Sequence, residues 1–167
     1  YQRFKQWALP QEKAKYNAIF AADAFNRALK VEERWINRIQ QPIGLFPRNE
    51  SPEWQKWLGR DNAADCLPYL LIASYFLDRN NYSTWLKVLD RQTELCDGMS
   101  CWLDLVTGNK EFNTPEEISF DTAELLKDGF LPLLEWLGRD PYLKLSTTMV
   151  EKLLPLCNRK TNHGLIC

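Results

Sequence analysis

Asp61-Asn62-Ala63-Ala64-Asp65-Cys66-Leu67-Pro68-Tyr69-Leu70-Leu71-Ile72-Ala73-Ser74-Tyr75-Phe76-Leu77 reads as a helix that is small or apolar on nearly every side. Ala63, Cys66, Leu67, Leu70, Leu71, Ala73, Ser74 and Leu77 cover its circumference, and a helix apolar all round is buried rather than laid on a surface. Asp61 is placed to cap it. A later stretch, Asp128-Gly129-Phe130-Leu131-Pro132-Leu133, repeats the shape: in each, a carboxylate precedes a proline inside an apolar run. No run alternates with period two, so strands are not expected beyond a short edge. The expected class is all-α, built of stacked antiparallel helical hairpins.

Working outward, the spacing of Tyr16, Ile19, Phe20, Phe25, Leu29, Trp35, Ile36 and Ile39 predicts one apolar face of a long helix from Pro10 to about Ile39. Pro42 and Gly44 break it. Ser51-Pro52-Glu53 reads as a cap with proline at the first helical position, opening a short helix with Trp54, Trp57 and Leu58 that stops at Gly59. Beyond the Asp78-Arg79-Asn80-Asn81 turn, a helix is expected from Ser83 with Trp85, Leu86, Val88, Leu89 and Leu95. Cys101 to Val106 is apolar and of undecided type. Thr114-Pro115-Glu116-Glu117 is a capping box, and its helix either continues to Leu137 or restarts at Ser119. Asp140-Pro141 starts the last helix, with Tyr142, Leu145, Met149, Leu153 and Leu156 on one face. Trp57-Leu58-Gly59-Arg60-Asp61 recurs as Trp136-Leu137-Gly138-Arg139-Asp140, each read as a helix end, a glycine stop and a restart.

The 167 residues carry 45% hydrophobic and 26% charged side chains, the profile of a single folded domain over 1–167. Tyr1 at the start and the apolar end Leu165-Ile166-Cys167 suggest a piece of a longer chain. Lys and Arg number 21 against 22 Asp and Glu, which gives no basic excess for a nucleic-acid partner. The longest apolar stretch, Leu67–Leu77, is shorter than the about 20 residues a membrane span needs, so no membrane partner is expected. Five cysteines without a CxxC pair, and the lone His163 near Cys167, leave no zinc pattern, so neither metal nor cofactor is expected. Cys66 and Cys157 read as buried thiols. Cys96 and Cys101 can form a disulfide in an oxidising compartment. Asn81-Tyr82-Ser83 is a formal glycosylation sequon.

The chemistry centres on the acidic residues before the prolines. Asp65 and Asp128 each fall near the start of a helix or near a kink, where free N–H groups favour negative charge. Such a position suits an aspartate of an ordinary first turn as well as one aimed into a cavity. Asp61 and Asp65 are four apart and share a helical face. Neighbouring carboxylates push one pKa upward, which keeps a general acid protonated near neutral pH. Asp121, Glu124 and Asp128 are three and four apart, with Lys127 beside them. They make either a solvated salt-bridged face or the opposing acid/base group. Trp35, Trp85, Trp102 and Trp136 read as hairpin packing. Trp54 and Trp57, beside Arg60, are the candidates for stacking on sugar rings.

The order Gly44-Leu45-Phe46-Pro47-Arg48, then Trp57, then Arg60-Asp61-Asn62-Ala63-Ala64-Asp65, then Pro68-Tyr69-Leu70, resembles the six-hairpin (α/α) toroids of carbohydrate-active proteins. That resemblance, of style over residues 12 to 157, implies a partial toroid of about half the usual helices. It also implies aspartates and aromatics near inner-helix starts lining a cleft for an oligosaccharide or polysaccharide. On that reading Asp61, Asp65 and Asp128 are catalytic, and Trp54, Trp57, Arg60, Tyr69 and Glu124 bind substrate. Asp61-Asn62-Ala63-Ala64-Asp65 resembles the DDxxD motif of isoprenoid synthases more faintly, with Asn62 where the second aspartate belongs. The rival expectation is a non-catalytic helical-repeat scaffold whose concave surface binds a protein or peptide.

Overall fold

The computed structural model describes residues 10–111, 114–138, 142–156, 159–162 and 164–166. The chain is mostly helical. α1 (Pro10–Ile36) is followed by a turn-rich segment and strand β1 (Lys56–Leu58). A first rod joins a wide-turned π segment, π1 (Gly59–Cys66), to α2 (Leu67–Leu77), and α3 (Arg79–Leu95) returns along it. After β2 (Trp102–Asp104), a second rod runs through α4 (Pro115–Glu124), a second π segment, π2 (Leu125–Phe130), and α5 (Leu131–Leu137). α6 (Tyr142–Leu153) packs back along α5, π2 and α4. A terminal hairpin pairs β3 (Arg159–Thr161) with β4 (Gly164–Ile166). The two rods run side by side in the same direction, because α4 and π2 meet π1 while α5 meets α2.

The prolines explain the π segments. A proline inside a helix lacks the N–H donor, and its ring clashes with the carbonyl four residues back. Both rods meet this by widening the turn before the proline. The Leu67 N–H reaches the Asn62 carbonyl, five back. The Leu131 N–H reaches the Leu126 carbonyl, also five back. Pro68 and Pro132 then enter the first turns of α2 and α5. Asp61 does not cap the first rod; the N-cap is Leu58, which makes no side-chain bond. Asn62 holds the entry instead, accepting from the Leu58 N–H (2.9 Å) and donating to the Phe46 carbonyl (3.1 Å).

The rods touch backbone to backbone. A methyl at Gly129 would lie 3.4 Å from the Ala63 carbonyl oxygen, 3.5 Å from the Ala64 Cα and 3.1 Å from Leu125 Cδ1. Around this crossing the core gathers Leu67, Leu70, Leu71, Leu125, Phe130 and Leu133, with Tyr142 and Met149 from α6. Beside it Phe46 sits among Trp35, Trp57 and Trp85, at ring-centroid distances of 5.3, 5.2 and 5.8 Å.

Several expectations are corrected. The segment after Ser51 is a turn and then β1, antiparallel to β2 with Trp57 opposite Leu103, so the short helix does not form and Cys101–Val106 holds a strand. α3 begins at Arg79, four residues early, because Asp78 caps it by accepting from the Asn80 N–H. Asn81 of the sequon donates to Asp78 (2.9 Å) within that first turn. The capping box does form: Thr114 Oγ1 accepts from the Glu117 N–H and Glu117 accepts from the Thr114 N–H. Cys96 and Cys101 form a disulfide. The repeated pentapeptides differ, since Gly59 enters π1 from a strand while Gly138 (φ 97°) ends α5. Asp140-Pro141, Cys157, His163 and Cys167 lie outside the described residues.

α1 departs most from its sequence pattern. It ends at Ile36, and Ile19, Phe20 and Phe25 are more than half exposed. Its buried residue is Glu32, which accepts a hydrogen bond from Trp85 Nε1 (2.9 Å). Burial raises the Glu32 carboxyl above its ordinary 4.5 and the Asp78 charge adds to this, against hydrogen bonds from Trp85 and Asn81.

Two outcomes follow for stability. Gly129→Val forces the rods apart and is expected to cost about 2 kcal/mol in urea unfolding; an unchanged midpoint contradicts the crossing. For Glu32, the folded carboxyl titrates above its unfolded value, so its contribution is fullest below about pH 4.5 and falls as pH rises through the folded value. Glu32→Gln keeps an acceptor for Trp85 without the charge. It is expected to reduce that fall across pH 4 to 8, which urea midpoints across the range will read.

Candidate functional site

Parallel rods put the N-terminal parts of both at the same end, and that is where the acidic residues meet. Asp61 and Asp65 stand about one wide turn apart on π1; Asp121 and Glu124 close α4, and Asp128 follows on π2. Asp61 pairs with Arg48, which comes from the segment before β1, and lies 3.7 Å from Arg60. Arg60 reaches across to Asp121 (3.8 Å) and lies over the Phe120 ring, 5.8 Å from its centroid. Arg48 lies over Trp54 at 5.7 Å. Lys127 bridges Glu124 (2.8 Å) and Asp128 (3.2 Å).

Asp65 is the exception. Among the described residues it has no ion pair or hydrogen bond. Its carboxyl is raised above the ordinary aspartate value, first by burial and then by the charges of Asp61, Asp128 and Glu124, with Arg60 opposing. One unpaired carboxyl with a raised pKa therefore stands among carboxylates that are ion-paired with Arg48, Arg60 and Lys127. This division lets one end of a site donate a proton while another accepts one. Cys66, on the same segment, has its thiol pushed up to about 12 by burial, with the Asp65 charge adding to it. It is not a thiolate nucleophile near neutral pH.

No protein-family model matches the chain. Neither curated proteins nor solved structures give a significant match.

The structure brings Asp61, Asp65, Arg60, Glu124 and Asp128 onto one face and leaves Trp54 beside it, 42% exposed against Arg48. It moves two expected residues away. Trp57 is completely buried in the Phe46 cluster because its strand residue points inward, so it presents no ring to a ligand. Tyr69 turns into a groove between α1, α2 and α5, lined also by Phe25, Phe76 and Trp136. Among the described residues, no group of three or more His, Cys, Asp or Glu side chains could hold a metal ion. Asp61, the first carboxylate of the diphosphate-motif reading, is paired with Arg48 and Arg60.

Sequence reasoning missed two contributors, Trp102 and Phe120, and left Asp121 open between a solvated face and an acid/base role. Asp121 is buried rather than on a solvated face, and Trp102, half-buried, donates its indole N–H to Asp121 Oδ2 (2.8 Å). Phe120 is exposed beneath Arg60. The Asp121, Glu124, Asp128 spacing was the available signal; the cross-chain bond from Trp102 was not.

Trp102→Phe leaves buried Asp121 with only the more distant Arg60, and is expected to lower stability by about 2 kcal/mol in urea unfolding. Asp65→Asn removes a charge that its neighbours oppose. It is expected to raise the thermal midpoint at pH 7 and to match wild type near pH 3, where Asp65 is protonated in folded and unfolded chains alike. A lower midpoint at pH 7 contradicts the like-charge reading.

Proposed function

We propose that the chain is a carbohydrate-active domain of partial (α/α) toroid form, of glycoside hydrolase or polysaccharide lyase type, acting on an oligosaccharide or polysaccharide. The observation that carries this reading is Asp65, a carboxyl with a raised pKa and no ion pair among the described residues, beside carboxylates paired with Arg48, Arg60 and Lys127. Parallel inner rods, with α3 and α6 returning along them, support the toroid part. Asp65 is the general acid that protonates the leaving glycosidic oxygen as the bond to the anomeric carbon breaks. Asp128 or Asp61 takes a proton from the water that adds to that carbon. Trp54 and Phe120 offer aromatic faces, while Arg60 and Glu124 offer donors and acceptors for hydroxyls.

The charge balance narrows the sugar. Asp61, Asp65, Asp121, Glu124 and Asp128 outnumber Arg48, Arg60 and Lys127, and each of these cations is already paired. An acidic sugar would meet net repulsion there, which favours hydrolysis of a neutral or amino-sugar polymer over elimination at a uronate.

A second reading, a non-catalytic scaffold holding a protein or peptide, is favoured by a different observation. The groove around Tyr69 is an apolar cavity of about 630 Å³, walled by Phe25, Ile72, Phe76 and Trp136.

The test is a panel of neutral, amino and acidic oligosaccharides, read by binding and by release of reducing ends. The expected result is cleavage of a neutral or amino sugar that Asp65→Asn slows about 10²- to 10⁴-fold while binding persists. Absence of binding to any sugar, with Trp54→Ala and Asp65→Asn indistinguishable from wild type, would sink the carbohydrate reading and leave the scaffold.

A further inference from the structure

The Cys96–Cys101 disulfide closes a loop that touches both sides of the acidic face. Cys96 is the C-cap of α3, its N–H bonded to the Gln92 carbonyl. The loop then turns through two left-handed residues, Asp97 (φ 55°) and Gly98 (φ 68°). Asp97 pairs with Lys152 of α6 (2.9 Å), and the Met99 carbonyl accepts from Gln92 Nε2 (2.9 Å). The Ser100 N–H donates to Thr122 Oγ1 (3.0 Å), next to Asp121. The Cys101 carbonyl accepts from the N–H of Gly59, the first residue of π1 (3.2 Å). Gly59 leans so closely on this loop that a methyl there would lie 1.7 Å from Ser100 Oγ. Trp102 follows at once with its bond to Asp121.

We propose that this disulfide is a redox-sensitive clamp on the acidic face: oxidised, it locks residues 97–102 against Gly59 and α4, and reduction by a dithiol releases them. Of the two residues, Cys101 is partly buried and Cys96 is buried, so Cys101 is the more accessible half of the bridge. A dithiol thiolate attacks Cys101 Sγ, forming a mixed disulfide and expelling Cys96 as a thiolate that takes a proton. The second thiol of the reductant then displaces Cys101, leaving two protein thiols and an oxidised, cyclic dithiol. The protein gains two electrons and two protons, which the dithiol loses. With the tether gone, a loop holding two left-handed residues keeps its shape through hydrogen bonds, the surface Asp97–Lys152 pair and the packing of Gly98 and Ser100, with no covalent link to hold it. Gly59 and Asp121 lose their common anchor. Core helices α2 and α3 keep their buried leucines and Trp85 and do not depend on the tether.

The clamp does not rest on the carbohydrate reading, and its test needs no sugar. Amide hydrogen exchange is measured on the whole chain, oxidised, reduced with dithiothreitol, and as the Cys96→Ser/Cys101→Ser variant. The expected result is about a tenfold or larger loss of protection at Gly59, Ser100 and Trp102. Protection of the amides from Trp85 to Leu89 stays unchanged, and the lost protection returns on re-oxidation. Unchanged exchange at Gly59 and Ser100 overturns the proposal, because the bridge then serves only its own loop. Loss spread evenly over all helices in the reduced wild type also overturns it, because the bridge then staples the whole fold. If the double variant does not fold, the reduced and re-oxidised wild type decides between these outcomes.

Discussion

Two backbones pressed together where side chains would ordinarily keep them apart set the geometry of this protein. Ala63 and Ala64 on one rod face Gly129 on the other, so the rods approach through main-chain atoms. Prolines three to five residues downstream prevent either rod from being a regular α-helix there, and both respond by widening the turn. The wide turns and the close approach occupy the same level of the molecule. With the rods aligned in one direction, every carboxylate near these turns is carried to a single end. The acidic face is thus a by-product of how two interrupted helices pack, and moving the crossing would disperse it.

That face is held by a sparse set of counter-charges. Arg48 and Arg60 reach it from the chain just before and inside the first rod, Lys127 from within the second, and Trp102 adds a neutral donor from β2. Asp65 lies between these anchors and, among the described residues, is left unpaired. A fold selected only for stability would replace such a side chain, since its like-charged neighbours oppose its ionisation.

Much of this architecture was legible in the chain. Leu67, Leu70 and Leu71 announced a buried rod, Thr114 and Glu117 announced the start of another, and the carboxylate-before-proline pattern marked where the helices widen and acidic residues gather. What was not legible depended on partners distant in sequence. Trp57 looked like a surface platform because its neighbours were charged, yet pairing Lys56–Leu58 with Trp102–Asp104 turned it inward. Tyr69 shares a rod with Asp65, but the widened turn and α1 send it to a different face. Glu32 interrupted no pattern of its own; only the indole of Trp85, 53 residues later, made burial tolerable. The apolar stripe of α1 had the right period, yet period alone does not say that a facing surface exists along its whole length.

The two copies of Trp-Leu-Gly show how wording and position can part company in one chain. Set the copies over each other, 79 residues apart, and a β-strand falls on the end of a helix. Set Pro68 over Pro132 instead, and wide turn falls on wide turn and leucine-rich rod on leucine-rich rod. Equivalence inside this molecule is keyed to the imino acid and not to the matching letters. Any relative sought by its most repeated phrase would therefore be aligned out of phase, with its acidic end assigned to the wrong half.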